Sequence, residues 1–488
     1  MKKWLVSVLA AAFAFTGAAG PAAAFSAPYE SYTYNYYLDA VPIPAPYLPD
    51  RAVTGRDLGV GDFRSPNDLF VAKDGTLYIL DSGNARIIVL DPGWKPVRVI
   101  GSFMRDGRED RLLNPGGIHV TENGLIYVAD TDNRRVVVLD GEGRFVRLLE
   151  NPQSDILPPN FIFNPLKLTV DSAGRVYVVS RGAFEGIMQF DSDGTFIGYV
   201  GTIHVRQSIF DKIWLRLATR EQRARMQLYI PTEFSNLDID DKDFIYATNI
   251  DTYSDELIKR LNPSGQDVLK RFGYYPVRGD VRYRNFGSSA GPSMFVDIKY
   301  LGGGMYTGLD AKRGRLFTYN DEGDLLYVFG ALGTQVGTFT VPVAVERQGM
   351  DILVLDRAKS NITVFKPTRF GRLVNEATRL HYDGYSTAAV ALWREVLALN
   401  SNYDAAYIGI GKSLLLEKRN EEAMEYFKLG MKRRDYSVAF KRYRKEVLQA
   451  QFGPVMSAIV ALVAAWLAFR VFRRRRMRRV VKHEARLH

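Results

Sequence analysis

Residues Gly116 to Glu150 read GGIHVTENGLIYVADTDNRRVVVLDGEGRFVRLLE. Four short apolar runs (IHV, LIYVA, VVVLD and FVRLL) are separated by TENG, DTDNR and GEG. Runs of this length, cut every few residues by Gly, Asn and Asp, describe a four-stranded antiparallel meander. A single sheet of this kind cannot bury both of its faces, so the pattern has to recur for the chain to fold.

It recurs. Gly75, Asp81, Asn84, Arg86 and Asp91 stand 49 residues before Gly124, Asp130, Asn133, Arg135 and Asp140. A third copy follows with Gly174 and Tyr177, and three looser copies bring the count to six between about Phe63 and Pro367. Six similar blades arranged radially leave no long unprotected sheet edge. The order D-G-x-x-Y-V-x-D, then D-x-x-N-x-R, then D-x-x-G resembles the NHL repeat, closely in the first two copies and loosely in the last three. That resemblance implies a mainly β, six-bladed propeller over 63–367. The sixth copy shows only three strands, and Ser31 to Leu38, rich in tyrosine, is expected to supply its outer strand. Pro42 to Pro49 reads as a linker within the 25–62 segment.

The flanks have other periods. Met1 to Ala24 has a basic start, an apolar run and an A-x-A site, the pattern of a cleaved secretory signal, with cleavage after Ala27 and an uncleaved anchor as alternatives. Beyond the propeller, Leu373, Ala377, Leu380, Ala389 and Trp393 recur 34 residues later as Tyr407, Gly411, Leu414, Ala423 and Phe427. This resembles the tetratricopeptide (TPR) repeat, and places TPR-like helices over 370–451, with Asn400 where that family usually has Pro. Two repeats are fewer than stand alone, so they are expected to lean on the propeller or on a third helix. Such helices serve elsewhere as peptide grooves; a spacer is the competing reading. Residues 452–472 are apolar apart from Arg470, long enough for one transmembrane helix, and 473–488 form a basic tail. The expected topology is a single-pass membrane protein with its bulk extracytoplasmic and its tail cytoplasmic.

Charge excludes one class of partner. The formal charge is +11, but 470–488 carries nine Lys or Arg against one acid and Lys2 and Lys3 add two more. About +1 remains for everything between, and no nucleic-acid motif is present, so nucleic acid is not expected as a ligand. With no cysteine, disulfides and thiolate metal sites are impossible.

Strand alternation selects a working surface. The loop entering each blade and the loop joining its second and third strands share one face, while the other two sets of turns are minimal. The entering loops are long: Met104–Asn114, Asn151–Asn164, Gly201–Thr232 and Tyr274–Ser293. Long ordered loops are usually functional. The ligand-binding candidates on this face are Asn67, Asp68, Asn114, Asn164, Arg181, Trp214, Glu233, Asn236, Tyr253 and Arg357. Helical spacing of Ile209, Ile213 and Leu217 in 201–232 suggests a cover over the channel mouth, either a moving lid or a fixed cap. Trp214, Tyr274 and Tyr275 are expected to offer exposed aromatic surface to a protein, peptide or glycan.

No catalytic signature is present, and no catalytic residue is assigned. The reading is a binding or scaffold module without a resident cofactor, accessory to an envelope or transport complex. The alternative is an enzyme of the gluconolactonase-like or lyase-like type. Such propellers hold a divalent cation such as Ca²⁺ with oxygen ligands at the channel mouth, and Asp68, Asn164 and Glu233 are the corresponding metal candidates. Against it, Asp and Asn in these positions also cap turns, and Asp130-x-x-Asn133-x-Arg135 reads as a hairpin clamp. His119, on an inner strand, is either a base or a structural histidine.

Overall fold

The computed structural model describes residues 27–158, 160–201, 233–250, 256–284, 287 and 289–484. Blade one comprises Asp68–Val71, Leu77–Asp81, Arg86–Leu90 and Pro96–Ile100. Blade two comprises Gly117–Val120, Ile126–Asp130, Arg135–Leu139 and Phe145–Leu149. Blade three comprises Pro165–Val170, Val176–Ser180, Ile187–Phe190 and Phe196–Val200. Every pairing within them is antiparallel between chain neighbours. The inner strands of successive blades lie side by side, and that of blade six returns to blade one, closing the ring.

The middle strands read as unbroken apolar runs because each blade is covered on both faces by its neighbours. Val136, Val137, Val138 and Leu139 are all fully buried, with alternate residues facing different apolar clusters. Val136 and Val138 join the cluster toward blade three; Val137 and Leu139 join the one toward blade one. The core is therefore divided among the interfaces between blades. Minimal turns are fixed by Asx caps: Asp140 Oδ1 accepts from the N–H groups of Glu142 and Arg144, both at 2.9 Å.

The later blades depart from the regular plan. Blade four (Phe234–Ile239, Ile245–Asn249, Ile258–Leu261) keeps only a single bridge, Leu261 to Asp267, where its outer strand would begin. Blade six (Pro342–Gln348, Asp351–Asp356, Asn361–Pro367) is completed by Tyr47–Thr54, paired from Asn361↔Thr54 to Pro367↔Tyr47. The expectation that Ser31–Leu38 closes the ring is thus corrected. The closing strand contains Pro49, which an outermost strand tolerates because one of its edges needs no partner. The tyrosine-rich stretch goes one blade back. Tyr32–Tyr34 joins the outer edge of blade five (Phe295–Gly302, Met305–Asp310, Arg315–Tyr319, Leu325–Phe329) at Tyr32↔Val328, with Ala40–Pro42 outside it.

Helix α1 (Arg369–Tyr382) follows the last strand directly; its N-cap is Thr368, whose Oγ1 accepts from the Gly371 N–H. Helices α2 (Ser386–Leu399), α3 (Asp404–Leu416) and α4 (Asn420–Leu429) pack in succession. Small residues set their approach: a Cβ on Gly409 would fall 2.3 Å from the Trp393 indole, and one on Gly411 2.8 Å from the Phe427 ring. Phe370, Val374 and Ala377 of α1 share one apolar cluster with Leu326, Tyr327 and Phe329 of blade five, so the helices do lean on the propeller. Helix α5 (Arg433–Glu484) begins against α4 and continues as a single rod past Pro454. Among the described residues it is the one helix long and apolar enough to cross a membrane, with a mean hydropathy of 2.2 over its most apolar window.

Candidate functional site

The face with the long entering loops is held together by carboxylates at the ends of second strands. Asp81, fully buried, accepts from the Arg64 N–H at 2.7 Å, Asn84 Nδ2 at 2.8 Å and Arg86 Nε at 2.7 Å. Asp130 repeats this with the Leu113 N–H at 2.7 Å, Asn133 at 2.9 Å and Arg135 Nε at 2.8 Å. Asp310 and Asp356 occupy the same place in blades five and six, accepting from the Met294 and Val341 N–H groups respectively. In blade three, Ser180 Oγ takes over, accepting from Asn164 N–H. In blades one and two the D-x-x-N-x-R motif is therefore a clamp that ties the entering loop to its own hairpin. It leaves no carboxylate oxygen of Asp81 or Asp130 for a ligand.

The channel is filled by two layers of charge. Near this face, Lys167 Nζ lies 2.9 Å from Asp68, whose other oxygen accepts from the Ile118 N–H at 3.0 Å. In the same layer Asn236 donates to Asp297, which also accepts from the Val345 N–H at 2.6 Å. Deeper, Lys299 Nζ bridges Asp238 at 3.1 Å and Glu346 at 2.8 Å. Asp238 in turn accepts from the Tyr300 N–H at 2.8 Å. Each bond from an Asp to a neighbouring inner strand replaces the ladder that parallel strands of separate blades cannot make. Burial pushes the Glu346 carboxyl up to about 7, only partly countered by Lys299. Burial alone would lower Lys299, but Asp238 and Glu346 outweigh it and hold the ammonium charged. His119 sits in this layer with Nδ1 3.2 Å from Thr169 Oγ1 and its ring 4.8 Å from Phe70. Burial, then Lys299, lowers it to about 3, so it is a neutral structural residue at ordinary pH. The space left is about 30 Å³, room for a water and no larger ligand.

The candidates nominated from the sequence separate accordingly. Asn67, Asp68 and Asn236 belong to the channel lattice; Asn67 Nδ2 donates to the Pro115 carbonyl at 3.2 Å. Asn164 O accepts from the Arg181 N–H at 3.0 Å, and Glu233 Oε1 accepts from the Gly182 N–H at 2.7 Å. Asn114 is exposed, its backbone in the left-handed region at φ 46°. The Arg181 and Arg357 side chains are exposed on opposite blades, three and six. Trp214, Tyr253 and the 202–232 insertion lie outside the described residues. Of the metal candidates, Asp68 pairs with Lys167, Glu233 accepts from Gly182 and Asn164 donates from Nδ2 to the Ile162 carbonyl at 3.3 Å; among the described residues no three His, Asp or Glu side chains gather to hold an ion. Lys167, Asp238, Asp297, Lys299 and Glu346 were not nominated. The signal for them was present: charged residues interrupt apolar first strands in KLTV, LDID, VDIKY and VAVER.

Two nominated aromatics need correction. Tyr274 and Tyr275 are not exposed platforms. Blade four gives up its outer strand after Asp267, so the chain crosses to the short-turn side of blade five. There the Phe272 N–H donates to the Glu322 carbonyl at 2.7 Å. Tyr274 donates to the Gly430 carbonyl, and Tyr275 packs edge-on to Tyr34 with ring centroids 5.2 Å apart. Only the later part of Tyr274–Ser293 reaches the long-loop face, where Lys312 and Arg313 donate to the carbonyls of Ala290 and Ser289 at 2.9 and 3.1 Å.

Among its exposed polar groups the long-loop face also leaves aliphatic side chains in solvent. Leu113, Ile156, Ile162, Ile250, Leu332 and Val341 are 40–61% exposed, and all stand in entering loops or in loops after second strands.

The NHL repeat matches residues 112–139, from the loop entering blade two to the end of its third strand. No protein with a curated description matches. Among solved structures, virginiamycin B lyase from Staphylococcus aureus is 11% identical, with TM-score 0.41 over 65% of this chain and 99% of that one. A protein of unknown function from Bacteroides thetaiotaomicron is 11% identical, with TM-score 0.42 over 69% and 75%. The structure of U3-55K is 9% identical, with TM-score 0.37 over 63% and 78%.

Proposed function

We propose that the protein is a membrane-anchored extracytoplasmic scaffold whose long-loop face binds another protein or a peptide segment. The observation that carries this is the division of labour on that face. The acids that end its second strands and line its channel are consumed by clamps and channel bonds, whereas six aliphatic side chains of its loops are left in water. Exposed aliphatic groups on the loops of this face favour a protein partner. A glycan would call for exposed aromatic and polar groups, and Tyr274 and Tyr275 do not supply them. On this reading the TPR-like helices brace blade five, α5 crosses the bilayer, and the basic tail is cytoplasmic. No resident cofactor is assigned.

The test is site-specific photo-crosslinking in native membranes from Leu113, Ile156 and Val341, with Val97 and Val146 on outer strands as controls. One protein adduct shared by the three face positions and absent from both controls is expected, and Leu113→Asp with Ile162→Asp should abolish it. Adducts equally frequent at Val97 and Val146 would refute the assignment of this face.

A further inference from the structure

Helix α5 presents two unlike sides before its apolar run. One packs on the helical layer: Ala439 is buried, Arg442 donates to the Leu415 carbonyl at 3.3 Å, and Glu446 accepts from Asn420 at 2.7 Å. The opposite side carries Lys441, Arg444 and Lys445, then Leu448 and Phe452, around an open recess of about 380 Å³. Spacings of three, four, seven and eleven residues place all five on one stripe. The three cations are exposed, and among the described residues none has an ion-pair or hydrogen-bond partner. Their neighbours are otherwise engaged: Lys432 pairs with Asp324, and Arg433 and Arg434 lie over the rings of Tyr36 and Phe272 at 4.9 and 3.4 Å.

We infer that this stripe seats the phosphate headgroups of anionic phospholipid in the extracytoplasmic leaflet. The inference rests on the membrane-crossing reading of α5. Its particular support is the sequence of chemistries along one line, cation to alkyl, at lipid dimensions. At 1.5 Å per residue, Lys445 lies about 5 Å and Lys441 about 10 Å above Leu448, where the apolar side begins. A headgroup layer is about 5–8 Å deep on each side of the hydrocarbon, which takes in Lys445 and Arg444 and leaves Lys441 just beyond its outer edge. An acidic protein segment would satisfy the cations but would give Leu448 and Phe452 no reason to continue the stripe into the bilayer.

The full chain in detergent, offered phosphatidylglycerol or phosphatidylcholine at equal concentration, should retain the anionic lipid preferentially in native mass spectrometry. Each cation near an anionic surface contributes roughly fivefold. The variant K441Q/R444Q/K445Q, with the basic tail intact, should therefore lose at least about tenfold of that preference. It should keep the wild-type melting temperature, because these side chains hold nothing else. An unchanged preference in this variant overturns the inference, and so does loss of a co-purifying acidic protein with lipid binding unaltered. Alkaline extraction of membranes separates the two levels. Release of the wild-type protein would overturn the anchoring itself, whereas retention with unchanged lipid binding would overturn only the headgroup site.

Discussion

Removing the Lys432 ammonium should loosen the helical layer from the propeller. Lys432 is 3% exposed and pairs with Asp324, itself buried in the short-turn loop of blade five, while Nζ also donates to the Phe272 carbonyl at 2.8 Å. Burial alone would raise the Asp324 carboxyl, but Lys432 and Lys412 together outweigh it and hold it below its usual value. Lys432→Met leaves this carboxylate buried beside one remaining cation, Lys412, which is already engaged with Glu322 at 2.8 Å. Breaking a buried pair from one side costs about 3–5 kcal/mol, and residual help from Lys412 places the expectation near the lower end. About 3 kcal/mol corresponds to more than a hundredfold in the open population. Hydrogen exchange should therefore accelerate by about two orders of magnitude at the Phe272 amide and over Gly430–Tyr436, with the amides of blade two unchanged. Because the folded carboxyl titrates below its unfolded value, the pair's contribution is present above the ordinary aspartate range. It is lost as pH falls through the folded value, so wild type and variant should converge in acid. Asp324→Asn in the Lys432→Met background should restore part of the protection. If the single variant exchanges like wild type, or the double variant is no better, the junction is not held by this pair.

Two further outcomes test the clamp and the channel. Asp81→Ala should cost more stability than Asp130→Ala in urea titrations of the full chain, each by about 2–4 kcal/mol. Arg135 keeps Asp110 at 2.7 and 2.9 Å, whereas the other clamp partners of Arg86 are only carbonyls such as that of Val60; the reverse order would contradict the clamp. Glu346, raised to about 7 in the folded protein, binds its proton more tightly there than when unfolded. Its contribution is therefore complete below its unfolded value and is lost as pH rises toward 7, a difference on the order of 3 kcal/mol. Melting temperatures of wild type should fall between pH 5 and pH 8, and Glu346→Gln should flatten that slope; an unaltered slope would place the titration elsewhere.

Much of this architecture was legible in the chain because its repeat is local. A blade needs alternating strands and turn residues at fixed spacing, so Asp81 and Asp130, 49 residues apart, announced both the period and the clamp. The recurrence of Ala377 and Ala389 as Gly411 and Ala423, 34 residues on, announced the helix pairs in the same way, whereas the contact of Gly409 with Trp393 appears only in the structure. Ring closure was not legible. Tyr47–Thr54 and Tyr32–Tyr34 are both short β-prone stretches before blade one, and the choice of which completes blade six and which extends blade five depends on edges formed some 300 residues later. The site divided along the same line. Residue types on the long-loop face followed from strand alternation. Whether Asp68 was a ligand or a brace depended on Lys167, brought across the channel from another blade. Local sequence determines turns and periods because their hydrogen bonds close within a few residues. Charge pairing across an axis is settled only when the ring closes and brings distant strands within bonding distance.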